Sequence, residues 1–203
     1  LGWSHGDDDI ISKEDAIKWF DGSHIGKSAS RIDFNKMKFI NSVYLRNKSD
    51  QELIELILYS WKNENISCNK SVEEILKKAI NEIKVRSELV TDLSNLAKIY
   101  HLDNIFTYDQ EAIDVIKSSN MDLLKSFTQV IEDLEDFTKD TIQAKLKEDA
   151  AKFSLKIGEY MKPIRAALTG KCASPSVFEI IELIGKNTVL ERIARAQKYY
   201  GKS

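Results

Sequence analysis

Apolar residues recur at spacings of three and four along most of the chain, the pattern of helices that each bury one face. Ser12 is placed to cap a short helix whose apolar face is Ala16, Ile17, Trp19 and Phe20, and Asp21-Gly22-Ser23 ends it. A loop over residues 23–32 follows. Asp33 then caps a helix reading Phe34, Met37, Ile40 and Tyr44, and residues 50–62 form another, with Leu53, Ile54, Ile57, Leu58 and Trp61 on a wide apolar face.

Residues 71–100 carry one long helical pattern through Ile75, Leu76, Ala79, Ile80, Ile83, Leu89, Leu93 and Leu96. Its centre, Lys84-Val85-Arg86-Ser87-Glu88, is charged, so the pattern predicts a break with Arg86 at the joint. Residues 101–108 read as loop, and residues 109–119 and 121–136 as two more amphipathic helices. Thr138 caps the next helix, with Ile142, Leu146, Ala150 and Phe153 inward, and Gly158 is expected to end the turn after it. Residues 160–169 form a short helix stopped by Gly170. Residues 178–184 form another, stopped by Gly185, where the chain leaves a helix at positive φ. Residues 187–199 close the chain, no fixed-period repeat is present, and the sum is an all-α fold of nine or ten helices.

Composition agrees: 8 Gly and 2 Pro in 203 residues leave little tight-turn chemistry for a β-sandwich. With 42% hydrophobic and 31% charged residues, and no apolar run near the roughly 18 residues a membrane span needs, the chain reads as a soluble cytoplasmic protein. The start lacks the basic and apolar stretches of a signal peptide. Net charge is −2, which speaks against a generic nucleic-acid binder, but the charge is unevenly spread. Residues 152–203 hold ten Lys and Arg against four Asp and Glu, a local +6, whereas residues 1–151 hold 20 against 28. That split fits one end meeting a polyanion, and it equally fits cations gathered at helix C-termini.

Several motifs lead nowhere. Residues 22–28, Gly-Ser-His-Ile-Gly-Lys-Ser, place three residues between the glycines where a phosphate loop needs four, and no strand precedes them. His24-Ile25-Gly26 lacks the second histidine of a class I synthetase signature. The acidic runs at residues 7–9 and 132–136 lack the glycine and spacing of a calcium loop. Cys68 and Cys172, and His5, His24 and His101, have no metal-ligand spacing, and no nucleophile has a plausible base, so neither a metal site nor a catalytic residue is expected.

What remains is Lys162-Pro163-Ile164-Arg165-Ala166-Ala167-Leu168-Thr169-Gly170, then Ser174-Pro175-Ser176-Val177-Phe178-Glu179 and Ile184-Gly185-Lys186. The stretch resembles the C-terminal anticodon-binding region of bacterial glutamyl-tRNA synthetases, with their Pro-(Leu/Ile)-Arg-x-Ala-Leu-Thr-Gly segment and Ser-Pro-Gly-x-Phe-Glu turn. The likeness extends to the Leu-Gly-Trp-Ser-His-Gly-Asp opening at residues 1–7 and to Asp33-x-x-Lys36-Met37-x-Phe39-x-Asn41-x-x-Tyr44-Leu45-Arg46. Lys84 and Arg86 stand where the family has a basic pair, and Phe137-Thr138 where Trp-Thr is usual. Ser176 replaces the family's glycine: if that turn needs positive φ the serine is strained, and otherwise the change is harmless.

The resemblance implies the tRNA-recognition part of a glutamate–tRNA ligase, a class I aminoacyl-tRNA synthetase, in an all-α anticodon-binding (α-helix cage) region. The expected organisation is a remainder of the stem-contact region over residues 1–65 and two helical anticodon-binding subdomains, 66–119 and 120–203. Arg165, Arg86, Ser174, Pro175, Val177 and Phe178 would meet the anticodon, and Asn41, Tyr44 and Arg46 the stem. The partner would be tRNA for glutamate, bound by a monomer. ATP and Mg would belong only to a catalytic domain this chain lacks, so the chain is expected to be inactive alone, and its start at Leu1 reads as part of a longer protein. From the residues themselves a second reading of Arg165 stands, a brace to Glu179 or Glu182. Arg86 shares that ambiguity, and Tyr44 and Phe178 could be core. The rival function is a helical protein-interaction scaffold without RNA binding.

Overall fold

A computed structural model describes residues 3, 5, 6, 8–22, 31–103 and 105–200, which form ten α-helices and one 3₁₀ turn. Leu1, Gly2, Ser4 and Asp7 of the opening motif, and residues 23–30 of the loop that held the two signature lookalikes, lie outside the described residues. Helix α1 is Lys13–Trp19, α2 Phe34–Asn47, α3 Asp50–Asn63 and α4 Lys70–Lys84. The long pattern does break at Arg86, giving α5 Val90–Ala97 and a 3₁₀ turn Lys98–Tyr100. Then follow α6 Gln110–Ser118, α7 Met121–Asp133, α8 Lys139–Lys152, α9 Ile157–Thr169 and α10 Val177–Tyr200, the last broken into two helical segments at Gly185 (φ 79°, ψ 162°), where the sequence places a helix stop.

Short polar side chains start α1 to α4 and α6 to α8 by accepting N–H groups that have no intrahelical partner. Ser12 takes Asp15 N–H at 3.0 Å and Asp33 takes those of Asn35 and Lys36 at 2.9 and 3.1 Å. Ser49 and Glu52 form a reciprocal capping box on α3. Helices α3, α4 and α5 pack on one another, α6 to α9 gather around α10, and α10 also packs on α4, joining the two groups.

Three expectations shift. Helix α7 stops at Asp133, short of residue 136, because acidic Glu135 and Asp136 are disfavoured at a helix C-terminus. Lys186 instead donates to the freed carbonyls of Glu132 (3.0 Å) and Leu134 (2.5 Å), and Asp136 accepts the hydroxyls of Thr138 and Thr141 at the start of α8. Gly158 ends no turn; it lies in the first turn of α9, with open space around it. The apolar faces read for α1 and α2 are not buried: α1 has no buried residue, and Phe34, Met37 and Tyr44 are 70%, 56% and 48% exposed, while α2 buries Ser42 and Leu45.

Among buried polar groups, Asp149 joins three helices. It accepts Tyr160 Oη at 2.6 Å from α9, Ser126 Oγ at 2.8 Å from α7 and Lys152 Nζ at 3.0 Å from its own helix. Burial opposes its ionisation, but the hydrogen bonds from Tyr160, Lys152 and Ser126 outweigh it and hold the carboxyl below the usual range. A depressed carboxyl stabilises the fold above its unfolded-state value and loses that contribution as pH falls through the folded one. Asp149→Asn is therefore expected to lower stability by about 2 kcal/mol at pH 7. It should also flatten the acid loss of stability below the ordinary value of 3.8, as urea melts of both proteins at pH 7 and pH 3 would record.

Candidate nucleic-acid interface

Helix α9 is apolar enough to be swallowed by the core, and Tyr160, Met161, Pro163, Ile164 and the run Ala166-Ala167-Leu168-Thr169 are all buried. Over residues 160–169 only Lys162 and Arg165 reach solvent, and a spacing of three puts them on one face, one turn apart. The sequence reading singled out Arg165 and missed Lys162. The available signal was that these are the two cationic positions in an otherwise apolar helix.

Glu179 and Glu182, the carboxylates offered as a brace for Arg165, are occupied elsewhere. Glu182 accepts Lys139 N–H at 2.9 Å, placing a negative charge at the N-terminus of α8, and Glu179 meets Lys139 Nζ at 3.5 Å. The Arg165 guanidinium makes no hydrogen bond or ion pair among the described residues, although its backbone carbonyl accepts Thr169 Oγ1 at 2.8 Å. A half-buried cation left unpartnered on a rigid helix is poised to donate to an outside acceptor.

Gly170 ends α9 in the left-handed conformation (φ 71°, ψ 7°), and the chain turns through residues 171–176 into α10. Ser174 Oγ donates to the Pro175 carbonyl at 2.9 Å and the residue keeps some surface, as does Phe178, which packs partly on the core. Pro175 and Val177 are buried, so the apolar wall read for them faces inward here. Ser176 is not among the residues with positive φ; its carbonyl accepts Ile180 N–H at 3.0 Å, the first bond of α10, so a serine in place of glycine is harmless.

Arg86 follows the end of α4 and folds back on it, Nη1 donating to the Glu82 carbonyl at 2.9 Å and carboxylate at 2.7 Å. This pair is exposed, so it stabilises little and exchanges readily. Buried Tyr100 shows where the end of α4 meets the start of α10: burial pushes its hydroxyl well above the usual range, Glu179 and Glu82 add to the shift, and Arg86 opposes it.

The three stem candidates fare differently. Asn41 Nδ2 donates to the Glu88 carbonyl at 2.5 Å, docking α2 on the joint that carries Arg86, and Tyr44 Oη donates to the Ile11 carbonyl at 3.1 Å. Arg46 is exposed and makes no ion pair among the described residues. The local positive charge is also smaller at the surface than in the sequence, because Arg192 is fully buried and Lys186 is spent on the end of α7. No group of His, Cys, Asp and Glu among the described residues could hold a metal ion, and no described helix is long and apolar enough to cross a membrane.

A helical module with a cationic pair on a buried helix, beside a shaped turn, defines a class, and the family model described as an anticodon binding domain matches residues 51–197. The chain belongs to that family. Among curated relatives, it is 44% identical over 193 residues to a protein named glutamate–tRNA ligase 2 from Rickettsia akari, covering 95% of this chain and 42% of the relative. It is 37% identical over 195 residues to glutamate–tRNA ligase 1 from Orientia tsutsugamushi, covering 96% and 41%. A crystal structure of a glutamate tRNA ligase from Elizabethkingia meningosepticum superposes with a TM-score of 0.77 at 28% identity, covering 98% of this chain and 39% of that one. The chain thus spans about two-fifths of the length of the relatives it matches.

Proposed function

We propose that the chain is the tRNA-recognition part of a glutamate–tRNA ligase, holding and selecting tRNA for glutamate while ATP and Mg serve catalysis elsewhere in the whole enzyme. The chain alone does not charge tRNA, and it works as a cytoplasmic monomer. The observation that carries this reading is the unpartnered Arg165 guanidinium, set one turn from Lys162 on a stretch of helix, residues 160–169, that is otherwise buried. Anticodon bases are unstacked and can be read on their edges, and phosphates add salt-dependent affinity. Arg165 reads a base edge or phosphate, Ser174 and Phe178 line the approach, and Pro175 and Val177 set the turn from below. Arg86 exchanges Glu82 for the RNA, and Arg46 meets the stem, with Asn41 and Tyr44 holding α2 in place.

The test is binding of tRNA for glutamate at two salt concentrations. Saturable binding that weakens steeply with salt is expected, and Arg165→Ala should weaken it by about 1–3 kcal/mol. Weak binding of equal strength to any RNA overturns the reading. It would favour the scaffold alternative, which the exposed apolar side chains of α1 and α2 support. Arg86→Ala should lower affinity for glutamate tRNA more than for glutamine tRNA, and equal effects on the two would remove Arg86 from anticodon reading.

A further inference from the structure

Where α5 and its 3₁₀ turn meet the end of α9, the surface opens into a cleft of about 200 Å³. Asn95 and Lys98 form one wall, Thr169 and Lys171 the other, with Thr107 between them and Ile105 and Phe106 as an apolar floor. It adjoins the C-terminal end of the helix that carries Arg165: Thr169, buried and one turn further along α9, donates its hydroxyl to the Arg165 carbonyl.

We infer that this cleft receives one unstacked nucleobase of the bound RNA, with Lys171 meeting the adjoining phosphate; the inference rests on the RNA-binding reading above. Pockets for drug-sized ligands run to about 300–1,000 Å³, so the space suits a single base. An apolar floor takes the face of any base, and polar groups at the walls take its edge. Asn95 is oriented for this: its Oδ1 accepts Lys98 Nζ at 3.2 Å, and Lys98 is itself anchored to Glu64 at 2.5 Å. That leaves the Nδ2 donors of Asn95 and the Thr107 hydroxyl without a hydrogen bond among the described residues, free for acceptors and donors on a base edge. Lys171 is half exposed and only loosely held by Asp109 at 3.7 Å, so a phosphate can replace that carboxylate at little cost.

The experiment measures binding of the chain to tRNA for glutamate and to versions made abasic at each anticodon-loop position in turn. Lys171→Ala is expected to lower the slope of log affinity against log salt by about 0.7–0.9, and Lys171→Arg to restore it. Asn95→Ala should leave that slope unchanged and weaken binding about tenfold to the intact tRNA. The loss should vanish at the one abasic position whose base the cleft holds. Thr107→Val, an exposed substitution, carries the same abasic comparison should Asn95→Ala fail to fold. If Arg165→Ala weakens binding while the Lys171 and cleft variants bind every RNA like the parent, the cleft is not a base site and the anticodon reading stands. If the parent chain does not bind the tRNA, both fall together.

Discussion

Arg192→Met is expected to destabilise the chain by about 3 kcal/mol, read as a lower urea midpoint at unchanged slope. Arg192 is fully buried, and its guanidinium bridges the two helical groups. Nη1 donates to the Ile99 carbonyl at 2.8 Å and the Leu168 carbonyl at 2.9 Å, and Nη2 to the His101 carbonyl at 2.5 Å. The plane also stands over the Phe106 ring, 4.7 Å from its centroid. Methionine fills much of the same volume but leaves three buried carbonyls unpaired, each worth about 1–3 kcal/mol. Part of that loss is returned. Burial has already pulled the Arg192 guanidinium down to about 10, which marks the cost of keeping a charge there, and methionine removes it. The carbonyls outnumber the charge, so the net effect is a loss. The conservative change Arg192→Lys presents a point charge where a fork is needed and should recover only a minor share. A stability equal to the parent in Arg192→Met would mean that water reaches those carbonyls.

Arg192 also shows what was and was not legible in the sequence. Helical spacing, caps and glycine stops located the elements, because each depends on residues within a turn or two. Thus the break at Arg86 and the positive φ of Gly185 (79°) follow directly from local chemistry. Arg165 was legible as a site for the same reason, a cation in an apolar helix. Arg192 obeys that rule too, lying on the seam of Val189, Ile193 and Ala196, yet its partners come from residues 99, 101 and 168. Nothing local separates a cation that reaches out from one that reaches in. The same limit hid the exposure of Phe34, Met37 and Tyr44, whose periodicity promises burial that no described helix supplies, and the lysine at residue 186 that ends α7. The cleft walls at Asn95 and Lys171 are 76 positions apart, so no motif could join them.

Gly170→Ala should be nearly as damaging, at about 3 kcal/mol, and for a different reason. Gly170 closes α9 at φ 71°, where a side chain costs about 1–2 kcal/mol by itself. A Cβ there would also collide with the Thr107 carbonyl oxygen and stand 2.9 Å from Phe106 Cδ2. The oxygen belongs to the backbone, so relief requires the segment at residues 105–109 to move, which threatens the 3.0 Å bond from Asp109 N–H to the Gly170 carbonyl. Moving Phe106 disturbs the ring beneath Arg192 as well. Groups that share a neighbour do not lose stability independently. The double variant Gly170→Ala/Arg192→Met is therefore expected to lose less than the sum of the single variants, by about 1 kcal/mol, because Phe106 can be displaced only once. Strict additivity in urea melts would mean that the two residues hold the 105–109 segment through separate contacts. Because Thr107 and Lys171 flank that contact and line the cleft, Gly170→Ala should also weaken RNA binding under conditions where the protein remains folded. Unchanged affinity in the folded variant would separate the cleft from the segment that Gly170 seats.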